Sequence, residues 1–263
     1  MVRIGFDIAG TNFWSQSAAA SYIWSNFHLP EDSFFVGASG GTFAALSLAL
    51  GIAPLHFTAA FEAEADFVWS GRKEEGEAGS ASIEEEVRPA RHVFRSKTTT
   101  RKILDRLLPP DAHLITNGRL GLLTMNFPTR WVRMIVVFPT RDVLIDALVA
   151  AVAIPPFTYP SVVRIAGNSF VDSGFGGAKQ RHRSFTENTD FYVSITQPLA
   201  PIYIPVTASF RSPLLSLPTA DQVQRQIENV FSQMPRHFET MASLLVPREV
   251  KQVDPYSDEE GLT

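Results

Sequence analysis

Apolar residues along this chain fall into short strand-like runs that alternate with stretches of helical period. Val2 to Phe6 reads as a strand, and Phe13 to Phe27 carries Trp14, Ala18, Tyr22 and Ile23 at helical spacing. Ser33 to Val36 is again strand-like, with aromatic and β-branched residues. Thr42 to Leu50 is apolar on every side, the pattern of a helix buried all round. Further on, Leu114 to Thr116 and Gly121 to Met125 read as strands. Trp131 to Phe138 has β-branched residues on both faces and is expected in the middle of a sheet. Thr140 caps a helix to Ala153 that carries Val143, Leu144, Ala147, Leu148 and Ala151, and Tyr192 to Ile195 is a further strand. Pro198 to Pro218 is too proline-rich for one regular element and is expected as loops packed on the core. Val223, Ile227, Val230, Phe231, Met234 and Phe238 trace an amphipathic helix that Pro235 must kink or break. Alternating strands and helices predict an α/β domain with a mostly parallel central sheet.

The chemistry enters at Phe34-Phe35-Val36-Gly37-Ala38-Ser39-Gly40-Gly41. A serine between small residues, where a strand turns into a helix, is a nucleophile elbow: Gly37 and Gly41 stand where backbone segments come too close for a Cβ, and the serine Oγ is left exposed at the edge of the sheet. Ser39 then lies beside the free N–H groups and positive dipole end of the following helix, with Gly40 as a backbone donor for a developing oxyanion. Only 36 residues precede Gly37, room for one strand and one helix. An α/β-hydrolase places several strands before its elbow, so the order here is a different one.

Strand, small-residue turn, helix, strand and serine elbow in this order resemble the patatin-like phospholipase family, and specifically its adipose triglyceride lipase and adiponutrin branch. The likeness continues in Leu104 to His113 with Gly118 to Gly121, in Ile145 to Phe157, and in Phe170-Val171-Asp172-Ser173-Gly174-Phe175. It implies a three-layer α/β/α fold over residues 1–250. Residues 72–89 are expected as a flexible acidic insertion and residues 251–263 as a disordered tail. It further implies a lipid acyl hydrolase of triacylglycerol lipase or phospholipase A type, working through a serine–aspartate dyad and an acyl-serine intermediate. The match to the family's second motif, read D-G-G or D-G-A, is Asp172-Ser173-Gly174, and Asp172 becomes the expected base. A carboxylate in a dry pocket has its pKa raised toward neutrality, which suits it to take the serine proton.

The family's oxyanion turn, D-G-G-G-x-R-G, corresponds to Asp7-Ile8-Ala9-Gly10-Thr11-Asn12-Phe13. Ala9 and Gly10 are the expected backbone donors. Three of the four glycines are replaced, and Ile8 is the main obstacle, because a β-branched residue tolerates positive φ badly. That turn supports a rival reading: a catalytically weakened scaffold that binds lipid or a protein partner. A transfer of the acyl group to a lysophospholipid instead of water is a third. A conventional triad would need His182, which lies in the basic run Lys179 to Arg183, expected as a solvated loop.

Composition narrows the partners. The chain has 263 residues, 45% of them hydrophobic, enough for one full core. With no cysteine there is neither a disulfide nor a thiolate metal site, and no histidine–carboxylate cluster has ligand spacing, so no metal and no cofactor is expected. A net charge of −4 gives no footprint for nucleic acid. No secretory signal and no apolar run of membrane-spanning length is seen, so the expectation is a cytoplasmic protein, at most peripheral at a membrane or lipid-droplet surface. Glu74 to Glu86 and the basic Arg88 to Lys102 are expected to balance each other in a surface loop; the sharper alternative places the cations around Phe94 against anionic headgroups.

Overall fold

The computed structural model describes residues 1–70, 97–154, 162–205 and 219–249. The proposed acidic insertion at 72–89, the tail at 251–263, Phe94 and most of the proline-rich segment lie outside them.

The chain opens with β1 (Arg3–Phe6), the helix α1 (Phe13–Asn26), the short β2 (Phe27–His28) and β3 (Phe34–Ala38). From the elbow, α2 (Gly41–Leu50) and α3 (Pro54–Ser70) lead to α4 (Lys97–Leu107), α5 (Ala112–Thr116) and β4 (Leu120–Phe127). Next come β5 (Trp131–Ile135), α6 (Arg141–Ala151), the hairpin β6 (Val163–Ile165) and β7 (Asn168–Asp172), α7 (Ala178–Asn188) and β8 (Phe191–Ser194). The described chain closes with β9 (Ile202–Tyr203), α8 (Ala220–Gln233), α9 (Phe238–Ala242) and β10 (Val246–Pro247). The eight-stranded sheet has the order β6-β7-β4-β3-β1-β8-β9, with β5 also on β4. Strands β4, β3, β1, β8 and β9 run parallel to one another, whereas β5 and β7 pair antiparallel with β4, and β6 with β7.

Alternation along the strands sorts side chains onto two faces. Ile4, Phe6, Phe35, Leu120 and Leu122 join the larger core, which also takes residues of α1, α2, α3, α4, α6 and α8. Val36, Ala38, Leu123 and Tyr192 point the other way, to Phe185 of α7. Helices thus cover both faces, and the mostly parallel sheet between them is the α/β/α arrangement expected. From Gly41 to Ala49 every residue of α2 is buried, as its uniform apolarity required. Thr140 caps α6, its hydroxyl accepting from the Val143 N–H at 3.3 Å. Pro235 ends α8 at Gln233, and a single 3₁₀ turn, Met234–His237, precedes α9.

Three expectations are corrected. Leu114 to Thr116 belongs to the short helix α5, where Thr116 Oγ1 donates to the Ala112 carbonyl at 2.8 Å. Trp131 to Phe138 is no central strand: β5 stops at Ile135, pairs only with β4 and leaves Trp131 exposed, so its β-branched residues serve an edge hairpin. Lys179 to Arg183 is the first part of α7, not a solvated loop, and Arg181 is buried there. Of the proline-rich segment, Ile202 and Ile204 are fully buried, while 206–218 lie outside the described residues.

Candidate active site

Strand pairing builds the site. β3 runs parallel to β4 and ends with Ala38 opposite Leu123. β7 runs antiparallel to β4 and ends with Asp172 opposite Thr124. Because β5 occupies the other edge of β4 over Leu122 to Asn126, β3 and β7 must share one edge, meeting head to head at adjacent residues. Ser39 follows Ala38 directly. Two segments more than 130 residues apart in sequence thereby deliver a hydroxyl and a carboxylate to one point, at the C-terminal end of the parallel strands where α/β sheets place ligands.

Ser39 has φ +50°, the left-handed region, which a non-glycine residue adopts only when its surroundings impose it. The imposing contacts are backbone ones. A Cβ on Gly37 would lie 2.6 Å from the Thr42 Cα, and one on Gly41 would lie 2.3 Å from the Phe6 carbonyl oxygen. A Cβ on Gly40 would lie 2.8 Å from the Gly10 carbonyl oxygen and 3.1 Å from the Ala9 Cβ. The elbow is therefore pressed against the turn that follows β1.

In that turn Gly10 takes φ +54° and opens a short 3₁₀ segment, while Ala9 keeps φ −133°. Ile8 has no positive φ, so the backbone obstacle expected there does not arise: the one glycine retained, Gly10, carries the left-handed conformation. The Ile8 side chain is half-buried against the smaller core. Gln16 of α1 donates to the Asp7 carbonyl at 3.1 Å, and Gln226 of α8 donates to Asn12 Oδ1 at 3.0 Å, so both ends of the turn are pinned. Among the described residues, no hydrogen bond outside the regular ladders uses the N–H of Ala9, Gly10 or Gly40.

Asp172 is 1% exposed. Its Oδ1 accepts from the Gly174 N–H at 2.6 Å, and Oδ2 makes no full hydrogen bond with the protein. Burial pushes the carboxyl pKa up to about 6, against the opposing pull of the Ser39 hydroxyl, the Gly174 N–H and Arg181. The Ser39 hydroxyl is thus close enough to stabilise the carboxylate without closing a bond of ideal geometry. Ser173, in place of the motif's middle glycine, is fully buried without a positive φ, so the substitution fits the turn. Gly174 likewise has no positive φ, and a Cβ there would sit 3.0 Å from Asp172 Oδ1.

His182 does not join this pair. Its Nδ1 lies 2.5 Å from the Tyr192 hydroxyl, whose pKa burial pushes up to about 12. Sequence reasoning missed a second buried pair: Arg181 Nε stands 3.5 Å from Asp7 Oδ1, and Arg181 also donates to the Gly174 carbonyl at 3.4 Å. Ser194 Oγ donates to Asp7 Oδ2 at 2.8 Å. The signal lay in the spacing, since Arg181 falls four residues before the buried Phe185 and so on the inward face of α7.

Among the described residues there is no cluster of His, Asp and Glu able to hold a metal ion, and no single helix is long and apolar enough to cross a membrane. What the arrangement offers chemically is a hydroxyl carried on a strained backbone and a buried carboxylate whose pKa is pushed up to about 6. No curated protein matches the chain. Residues 18–178, which include Ser39 and Asp172, match the family model for patatin-like phospholipases. The chain belongs to the patatin-like phospholipase family of lipid acyl hydrolases.

Proposed function

We propose that residues 1–250 form a serine-dependent lipid acyl hydrolase with a Ser39–Asp172 dyad, similar in its motifs to the adipose triglyceride lipase and adiponutrin branch. Ser39 Oγ attacks the ester carbonyl carbon and its proton passes to Asp172. The tetrahedral oxyanion is held by backbone N–H groups of Ala9, Gly10 and Gly40. Its collapse expels the alcohol, which takes the proton back from Asp172 and leaves an acyl-Ser39. Water, deprotonated by Asp172, then releases the fatty acid by the same route. The observation that carries this reading is the head-to-head meeting of β3 and β7 on β4, which sets the elbow hydroxyl beside a buried carboxylate of pKa about 6.

The weakened-scaffold reading rested on the Ile8-Ala9-Gly10 turn, and the absence of a positive φ at Ile8 removes one of its supports. Turnover of p-nitrophenyl butyrate, triolein and phosphatidylcholine by purified protein, beside a Ser39→Ala variant, tests the proposal. The expected result is ester release lowered at least 10³-fold in the variant, the scale of loss when an activated serine is removed. Equal rates in folded parent and variant would overturn it.

A further inference from the structure

Acidic residues are missing from one part of this acidic chain. From Ala112 to Arg141 there is no Asp or Glu, and from Ala147 to Thr186 the only one is the buried Asp172. These stretches contain β4, β5, β6, β7 and the first turns of α7, the elements that surround Asp172. Their exposed cations are Arg130, Arg133, Arg164, Lys179 and Arg183, the last of them paired with Glu187 at 2.6 Å.

The same elements expose large apolar side chains. β4 runs on to Phe127, four residues beyond Leu123, so at about 3.3 Å per residue the β4–β5 turn stands roughly 13 Å past the end of β3. Trp131 and Phe127 flank that turn, 62% and 47% exposed, with Arg130 between them. The β6–β7 turn projects at the same end, because Ser169 pairs with Phe127 and Arg164 pairs with Ser169. Phe175, 48% exposed, sits in the turn that follows Asp172. The Val132 N–H donates to Gln180 Oε1 at 3.3 Å, which fixes the start of α7, and with it Lys179, beside β5. Arg133, Thr124 and Asp172 form one row across β5, β4 and β7, so Arg133 stands on the face of the sheet that carries Asp172.

We propose that this end of the sheet, with Phe127, Trp131 and Phe175 set among Arg130, Arg133, Arg164 and Lys179, docks the protein on an anionic phospholipid surface and presents the site to it. The proposal rests on the lipid hydrolase reading. The Trp131 indole, with an apolar body and a polar N–H, suits the headgroup boundary, Phe127 and Phe175 add apolar surface, and cations beside them are attracted to anionic headgroups, each worth about a fivefold gain in partitioning. With a net charge of −4 on the whole chain, a part of the surface without acidic residues is favoured for the encounter with an anionic surface. The alternative cationic surface, around Phe94, is weakened where it is described, because Arg101 is already bonded to Asp142 at 2.7 Å and to Asp146.

Co-sedimentation with vesicles of phosphatidylcholine alone, or containing about one third phosphatidylglycerol, tests the docking. The Ser39→Ala variant is used so that hydrolysis cannot change the vesicles. Binding is expected with the anionic vesicles, falling steeply as salt rises. Arg130 has φ +59°, so Arg130→Asn removes its charge without adding backbone strain. Combined with Lys179→Gln it should weaken partitioning about 25-fold, and Trp131→Ser should weaken it further. Turnover of the soluble ester p-nitrophenyl butyrate by these variants in the Ser39 background should stay at the parent rate. Partitioning that is equal on neutral and anionic vesicles, or unchanged by these substitutions, would overturn the docking surface. So would binding to a single-stranded oligonucleotide in preference to vesicles. Loss of the hydrolase reading would instead show as no turnover of the soluble ester by the parent.

Discussion

Arg181 and Asp7 form a buried ion pair, Nε to Oδ1 3.5 Å, that ties the helix after the Asp172 turn to the first residue of the turn after β1. The guanidinium also reaches the Gly174 carbonyl, so it touches both loops that flank the reacting centre. The groups facing Asp172 are the Ser39 hydroxyl, the Gly174 N–H, Arg181 and Asp7; the first three lower its pKa and Asp7 raises it. With the carboxylate as base, kcat/KM for a soluble ester should rise with pH through a midpoint near 6. Arg181→Met removes a stabilising charge and leaves Asp7, so the midpoint should move upward, and Arg181→Lys should bring it back toward the parent. Parent-like profiles in all three proteins would show that the pair only supports the fold.

Asp172→Asn separates activity from stability. The amide has no useful basicity, so hydrolysis should fall at least 10³-fold. Asp172 has a folded pKa of about 6 against an ordinary 3.8, so its favourable contribution to stability is full below the unfolded value and is lost as pH rises through 6. Above that, the buried charge costs roughly 3 kcal/mol. The variant should therefore melt a few degrees higher than the parent near pH 8, with the difference vanishing toward pH 4. A parent-like Tm at both pH values would mean that the carboxylate is not strained by burial.

The elbow was legible because everything that defines it is local: strand, small residues, Ser39 and an all-apolar helix lie within 17 residues. Asp172 was reachable only through a family motif. What brings it to Ser39 is the pairing of both strand ends with β4, and nothing in Phe170 to Phe175 encodes that partner. Trp131 to Ile135 misled because β-branched residues suit an edge hairpin as well as a central strand. Thr116 misled because a β-branched residue also closes a short helix by bonding back to Ala112. Arg181 was hidden by its neighbours, since Lys179 and Arg183 do face solvent.

Close packing of the elbow predicts different costs for neighbouring glycines. Gly41→Ala sets a methyl group 2.3 Å from the Phe6 carbonyl oxygen, where only backbone can yield, and should destabilise by about 3 kcal/mol or more. Gly40→Ala presses on Gly10 and Ala9 at 2.8 and 3.1 Å. Its main effect should be on turnover, about 10²-fold, because it displaces oxyanion donors. Urea denaturation and ester kinetics on both variants check this; equal effects in both assays would contradict it.

His182→Ala should leave kcat within a few-fold of the parent, since the imidazole faces Tyr192. In a histidine-based triad the same change would cost as much as loss of the nucleophile. A severe loss here, beside a mild one in Asp172→Asn, would rule out the dyad.

If Ser39 is the nucleophile, a fluorophosphonate should mark it, and peptide mapping of the labelled protein reads out which serine reacts. One phosphonyl adduct is expected, on Ser39, absent from Ser39→Ala and formed far more slowly in Asp172→Asn. An adduct on another serine, or none in folded parent protein, would contradict it.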